Sequence, residues 1–264
     1  MSAGEHDASA GDTQRMRAIA EDGRAKGATA DRAGASDAMG DDGGVSRAPA
    51  PWNLQGAGYV ILLRLPQDFA EGQGFIPPAW RDAFCGGMAS VMVVRYLASD
   101  VGPYDELLFV PGRFQFGDLI RPSVTRILVS SEASVVNGRA NWGIPKALAE
   151  FQFEQTGEGR ERVTVSVAGA PIADLHFRRW PLSMPFSTAL IPRGFSELIQ
   201  AGADHPLLTA LKASGQVGLA SLTGCTLNAE SFPDLNQCSV LASFHIPRFS
   251  MTFPVAKTLV MPEG

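Results

Sequence analysis

The stretch ASVMVVRYL, residues 89–97, alternates. In an extended chain it puts Val91, Val93, Arg95 and Leu97 on one face and Met92, Val94 and Tyr96 on the other. Working outward, Tyr59–Leu65 reads as a strand opened by Gly56 and Gly58 and closed by Pro66, and Glu106–Val110 as one ended by Pro111-Gly112. Further strands are expected at Thr125–Ser131, Glu150–Gln155, Arg162–Ala168, Ile172–Phe177, Gln216–Leu227, Ser239–Phe244 and Phe249–Phe253. Helix signals are few: Trp80–Phe84, Pro145–Ala149, Phe195–Ala201 and His205–Ser214, the last with Pro206 in its first turn and Gly215 at its end. Many strands punctuated by Gly and Pro predict a mainly β (α+β) fold, an antiparallel barrel or sandwich.

The rest of the composition divides unevenly. All 22 aromatic residues of the 264 lie between Trp52 and Phe253. Residues 1–50 hold 13 alanines, 8 of the 28 glycines, nine acids and six bases, so −3 of the formal −5 sits there. So few large apolar side chains do not offset the entropy of ordering, which predicts a disordered tail over 1–50 and one domain over 51–264. No apolar run approaches the ~18 residues of a membrane span, and the N-terminus lacks the apolar core of a secretory signal. The near-neutral domain with no basic stripe argues against nucleic acid as a partner. Cys85, Cys225 and Cys238 give no even framework and no CxxC spacing, as expected of a cytoplasmic protein with reduced thiols. His6, His176, His205 and His245 are far apart, so no metal site is expected.

Lysine is scarce: 18 arginines against Lys26, Lys146, Lys212 and Lys257. Lys146 ends the segment Gly138-Arg139-Ala140-Asn141-Trp142-Gly143-Ile144-Pro145-Lys146, where Pro145 fixes φ and Trp142 offers an apolar wall. Two readings stand side by side. Lys146 is a surface residue at the start of a helix, or it is a buried amine whose pKa is lowered by desolvation and which attacks a carbonyl to form a Schiff base.

The segments Gly138-Arg139 and Pro145-Lys146-Ala147-Leu148, with Gly102-Pro103-Tyr104-Asp105-Glu106 forty residues before the lysine, resemble the active-site segments of the acetoacetate decarboxylase family. The entry at Pro51-Trp52 and the closing Ile246-Pro247-Arg248 agree, so the resemblance covers about residues 50–260. It implies an antiparallel β cone or barrel with a few peripheral helices, a homo-oligomer, and a Schiff-base lyase acting on a small or medium keto acid. Lys146 would be the nucleophile and Glu106 the acid/base, with Tyr104 on the same face of an extended segment. Related aldolase-dehydratases place a Tyr-x-Glu pair of this form beside the Schiff-base lysine, so aldol and dehydration chemistry on pyruvate-like substrates remains open. No metal or organic cofactor is implied, because the iminium is itself the electron sink.

Three positions depart from the family. Ala147 stands where the decarboxylases have a second lysine, Val91 where they have a second pocket carboxylate, and Ala57 where they have a pocket arginine. With no cationic neighbour, a lowered lysine pKa has to come from burial. Arg95, on the face of Val91, is expected either to hold a substrate carboxylate inside the barrel or to be a structural salt-bridge or rim arginine. Arg139 is expected to brace the lysine loop, and Trp142 to shape the pocket or to be core. The departures keep open a non-catalytic barrel that binds an apolar small molecule.

Overall fold

The computed structural model describes residues 44–66 and 68–260. The tail expected over residues 1–50 lies outside them up to Gly43. Strand β1 (Trp52–Arg64) is followed by the short helix α1 (Phe69–Gln73), then β2 (Phe84–Gly86) and β3 (Ala89–Ala98). Next come β4 (Tyr104–Val110), β5 (Arg113–Phe116), β6 (Leu119–Pro122), β7 (Arg126–Val129) and the main helix α2 (Glu132–Trp142). β8 (Lys146–Leu148), β9 (Glu150–Gly157), β10 (Arg160–Val167) and the long β11 (Ala170–Ser187) follow. The one-turn α3 (Arg193–Ser196), β12 (Glu197–Gln200), β13 (Leu207–Ala210), β14 (Lys212–Leu227), β15 (Ser239–Phe253) and β16 (Lys257–Thr258) complete the path.

Ten strands form one sheet in the order β8-β7-β4-β3-β1-β15-β14-β11-β10-β9. The two edges, β8 and β9, are consecutive in the chain and separated only by Ala149. One residue spans at most about 3.6 Å, so the sheet has to curl until its edges meet. Ala149 N donates to Val129 O at 2.9 Å, so the linking residue is itself held to β7. Neighbouring strands are antiparallel except β7 and β8, which are parallel. A parallel pair needs a crossover, and α2 supplies it.

The alternation within the strands separates two cores. Leu107, Phe109, Val91 and Val93 meet Val163, Val165 and Leu175 from the far end of the sheet, so this cluster fills the inside of the curl. Tyr96, Tyr104, Leu108 and Ile127 face the other way and pack with Trp52 and Trp142. The class expected from the sequence is the class observed: mainly β, antiparallel for the most part, with few helices. No helix of the described residues is long and apolar enough to cross a membrane.

Several local expectations are corrected. Pro145–Ala149 is not a helix: Lys146–Leu148 pairs with β7 as an edge strand, because Gly143 has already ended α2 in a left-handed conformation. Helix α2 itself falls in a segment read as a loop. Its buried stripe is Ser134, Asn137, Gly138 and Trp142, so the hydrophobic period that marks most helices is absent. Phe195–Ala201 is helical only through Ser196, and the rest joins β12 to pair with β13. His205–Ser214 is β13 and the start of β14, where sheet partners override the helix signals. Trp80–Phe84 contributes only the end of a 3-10 turn, Pro78–Trp80, and the start of β2. The two strands expected at 239–244 and 249–253 are one, and Pro247 sits where the register shifts against both neighbours, so its missing N–H breaks no ladder bond.

Gly143 has φ +66°, and a Cβ there would overlap the Ala201 carbonyl oxygen. The Gly143→Ala variant is expected to lose at least about 1 kcal/mol, read as a lower urea midpoint with an unchanged slope.

Candidate active site

On β4 the period of two sends Tyr104, Glu106, Leu108 and Val110 to the face under α2, and Leu107 and Phe109 to the inside of the curl. Val94 and Tyr96 of β3 lie beside them, with Val94 opposite Glu106 and Tyr96 opposite Tyr104. Lys146, on β8, reaches the same space from the other side of β7, where its partner is Ile127. Ser131 caps α2 by accepting a hydrogen bond from Ser134 N, and one turn further along, Gly138 faces the lysine stem. A Cβ on Gly138 would lie 2.8 Å from Lys146 Cδ and 2.9 Å from Cε, so only glycine leaves the stem its path.

The Lys146 ammonium uses its three donors on three partners. Nζ lies 3.0 Å from Glu106 Oε2, 2.9 Å from Ser134 Oγ and 3.4 Å from Tyr104 OH. Tyr96 OH donates to the second carboxylate oxygen, Oε1, at 3.1 Å. Lys146 and Glu106 are 4% and 3% exposed, so this is an ion pair almost wholly removed from water. Such a pair persists only if the remaining hydrogen-bonding capacity of both ions is met, as Ser134 and the two tyrosines do here.

These contacts reverse the expected pKa of the lysine. Burial does push the ammonium toward neutrality, but the Glu106 carboxylate and the Tyr104 hydroxyl outweigh it, and the pKa stands above the ordinary lysine value. Burial also pushes the Tyr104 phenol up to about 12, and takes that of Tyr96 well above the usual range.

The pair sits at one end of a cavity of about 350 Å³. Trp142 is part of its wall, edge-on to Trp52 at 4.9 Å and to Phe253 at 4.6 Å, and its indole N–H donates to Pro254 O at 2.7 Å. Arg139 does not line the cavity: its Nε donates to Lys146 O at 2.8 Å, tying the last turn of α2 to the lysine strand. The segment before β1 also reaches this helix. Asn137 accepts from Ala48 N at 2.7 Å and donates to Ser46 O at 3.0 Å, and Asn141 donates to Ala48 O at 2.8 Å.

Arg95 is elsewhere. It lies on the opposite face of β3, pairs with Asp105 at 3.3 Å and stacks over Phe153 at 3.8 Å. It does not line the lysine cavity, and its carboxylate partner is Asp105. Val91 is buried inside the curl, and Ala57 lies opposite Arg95 on β1. Neither lines the lysine cavity, and Ala147 packs against the inner core, so the residue after Lys146 points away from the amine. A step of one residue along a strand changes the face, so Val91, Arg95 and Ala147 look away from the cavity that Met92, Tyr96 and Lys146 line. Arg95, Tyr59, Glu161, Arg179 and His245 surround a separate cavity of about 180 Å³. Burial and Arg179 hold the His245 imidazole down at about 4.

Ser134, Tyr96, Gly138 and Asn137 are the site residues that sequence reasoning missed. Tyr96 was within reach, since the alternation of residues 89–97 already puts it with Met92 and Val94 on one face. Ser134, Gly138 and Trp142 recur at intervals of four, a helical stripe hidden by its polarity. No group of three His, Cys, Asp or Glu side chains suited to a metal occurs among the described residues.

With fold and site in view, the class is clear: the chain has the acetoacetate decarboxylase-like fold. Its sequence matches no family model and no curated protein. Solved structures do match. Acetoacetate decarboxylase from Legionella pneumophila superposes with a TM-score of 0.59 at 15% identity, over 80% of this chain and 88% of that one. An acetoacetate decarboxylase-like enzyme from Sphingomonas wittichii gives 0.59 at 13% identity, over 87% and 100%. The enduracididine biosynthesis enzyme MppR complexed with pyruvate gives 0.56 at 16% identity, over 81% and 92%.

Lys146→Met leaves the Glu106 carboxylate buried without its cation and is expected to cost about 3–5 kcal/mol, while Lys146→Met/Glu106→Leu recovers most of that loss. A lysine pKa raised by folding stabilises fully below the unfolded value and ceases to do so as pH climbs through the folded one. The stability gap between wild type and Lys146→Met, measured by urea unfolding, should therefore hold steady through neutral pH and narrow only above about 10.4.

Proposed function

We propose that the chain is a Schiff-base-forming carbon–carbon lyase that acts on a keto acid through Lys146, with Glu106 as acid/base. The buried Lys146–Glu106 pair at the end of an apolar cavity is the observation that carries this reading. Attack on a ketone needs the neutral amine. Passing a proton along the 3.0 Å bond from Nζ to Glu106 supplies it and turns two buried charges into two neutral groups. The amine adds to the carbonyl carbon, the Tyr104 phenol hydrogen-bonds the departing oxygen, and loss of water leaves an iminium. The bond to the carboxylate then breaks. Carbon dioxide leaves, its electron pair passes through the substrate carbon to the iminium nitrogen, and an enamine results. Glu106, having given its first proton to the departing oxygen, takes another from water and delivers it to that carbon. A further water hydrolyses the iminium so formed, releasing the ketone and the Lys146 ammonium. In this scheme Tyr96 fixes the orientation of the carboxylate, Trp142 shapes the apolar wall, and Arg139 holds the lysine strand against α2.

The Tyr104-x-Glu106 pair favours a second reading that shares the Schiff base, aldol addition and dehydration on a pyruvate-like substrate. The structure of MppR with pyruvate, an enzyme of the same fold, is consistent with it. The expected homo-oligomer is supported by large apolar side chains exposed on and after β11, among them Leu182, Met184 and Leu190 at 83%, 67% and 87%. Light scattering is expected to give a mass at least twice that of the 28.0 kDa chain, and a clean monomer would remove this part of the proposal.

Borohydride added in the presence of acetoacetate, pyruvate or a simple ketone is expected to fix an adduct on Lys146, located by peptide mass spectrometry and absent from Lys146→Ala. Glu106→Gln should slow turnover by about 10²–10⁴-fold, the contribution of a positioned acid/base. Absence of any Lys146 adduct would leave the non-catalytic binding barrel as the reading.

A further inference from the structure

Across the outer face of the sheet, the rung that holds Glu106 continues through Val94 to Gly58 and Ile246. The next runs from Tyr104 through Tyr96 to Gly56 and Phe249. On β1 both positions are glycine, each in close approach to the β3 backbone; Gly58 lines the cavity, while the Phe249 ring covers Gly56. The cavity therefore extends past the ion pair, over Gly58 to Ile246, Phe249 and Met251. At a spacing of about 4.8 Å per strand, β4 to β15 is a distance of about 14 Å.

The polarity of this space is one-sided. Lys146, Glu106, Tyr96 and Tyr104 cluster at the inner end, and the walls beyond are apolar until Thr188 and Ser196, where the cavity meets a wider outer groove. Among the described residues that line it there is no arginine and no second lysine. The one cation is already committed to three hydrogen bonds. A compact, strongly hydrated keto acid would lose its water here, find a single cation in return, and leave most of the apolar wall without contact.

We propose that the substrate carries an extended apolar substituent on its carbonyl carbon. In this proposal, which rests on the Schiff-base reading, the substrate is a 3-keto acid whose hydrocarbon chain lies over Gly58 toward Met251. The ketone faces Lys146, and the carboxylate that leaves is the only charge the substrate brings. Selectivity for chain length then comes from burial of methylenes along β1, β15 and β14, where Leu54 pairs with Met251 and Met251 with Ala213.

The test measures kcat/KM for 3-oxobutanoate, 3-oxohexanoate, 3-oxooctanoate and 3-oxodecanoate. Alongside it, tryptophan fluorescence of the full chain gives the affinity of the matching 2-alkanones, which needs no turnover. Both quantities are expected to improve about fourfold per added methylene until the arm is filled. Ala213→Phe and Met251→Trp, which narrow the arm from two different strands, should shift the optimum to a shorter chain. A flat or falling 2-alkanone series overturns the proposal, as does best turnover on acetoacetate or pyruvate. A rising affinity series with no borohydride adduct supports the apolar ligand class and sinks only the Schiff-base reading beneath it.

Discussion

Two opposite charges withdrawn from water constrain the whole molecule. Lys146 and Glu106 come from strands separated by β7, so the pair forms only when the parallel β7–β8 edge and the antiparallel β4–β7 edge are both in register. Their hydrogen-bonding needs then dictate what surrounds them. A hydroxyl has to come from α2, a phenol from β3 and another from β4, and Ser134, Tyr96 and Tyr104 fill those places. A helix close enough to supply the hydroxyl leaves no room for a side chain over the lysine stem, which accounts for Gly138. Crossover, caps and glycine are thus consequences of one electrostatic requirement.

The sheet answers a second demand, to keep that polar cluster apart from the main core. One face packs an inner core without charge, and the other lodges the ion pair between the sheet and α2. The two environments are separated by a single peptide step at many positions, as between Glu106 and Leu107 or Lys146 and Ala147. Arg95 and Asp105 show the same economy from the other side: neighbours in sequence of cavity residues, they pair with each other on the opposite face.

This economy also sets what could be read in advance. The strands with a strong period of two, residues 89–97 above all, were legible, and so was the mainly β class. Lys146, Glu106 and Tyr104 stood out in two short segments forty residues apart, and the fold brings the three side chains within hydrogen-bond distance. Three things were not legible. Helix α2 buries a polar stripe, so its period carries no hydrophobic signal even though Ser131 and Gly143 mark its ends. Which face of β3 borders the cavity depended on register with strands distant in sequence, so the alternation of residues 89–97 left the role of Arg95 open between substrate and salt bridge. The pKa of the lysine depended on Glu106 and Tyr104, 40 and 42 residues away, and burial alone predicted the wrong sign.

The single-residue joint at Ala149 has a consequence for how the buried pair is assembled. The strand that closes the sheet is the strand that carries Lys146. Because β9 begins one residue after the lysine strand ends, the pairing of β8 with β7 and the curl of the sheet are set together. The Lys146–Glu106 pair is therefore tied to completion of the fold: a chain in which β7 and β8 have not paired holds neither charge against the other.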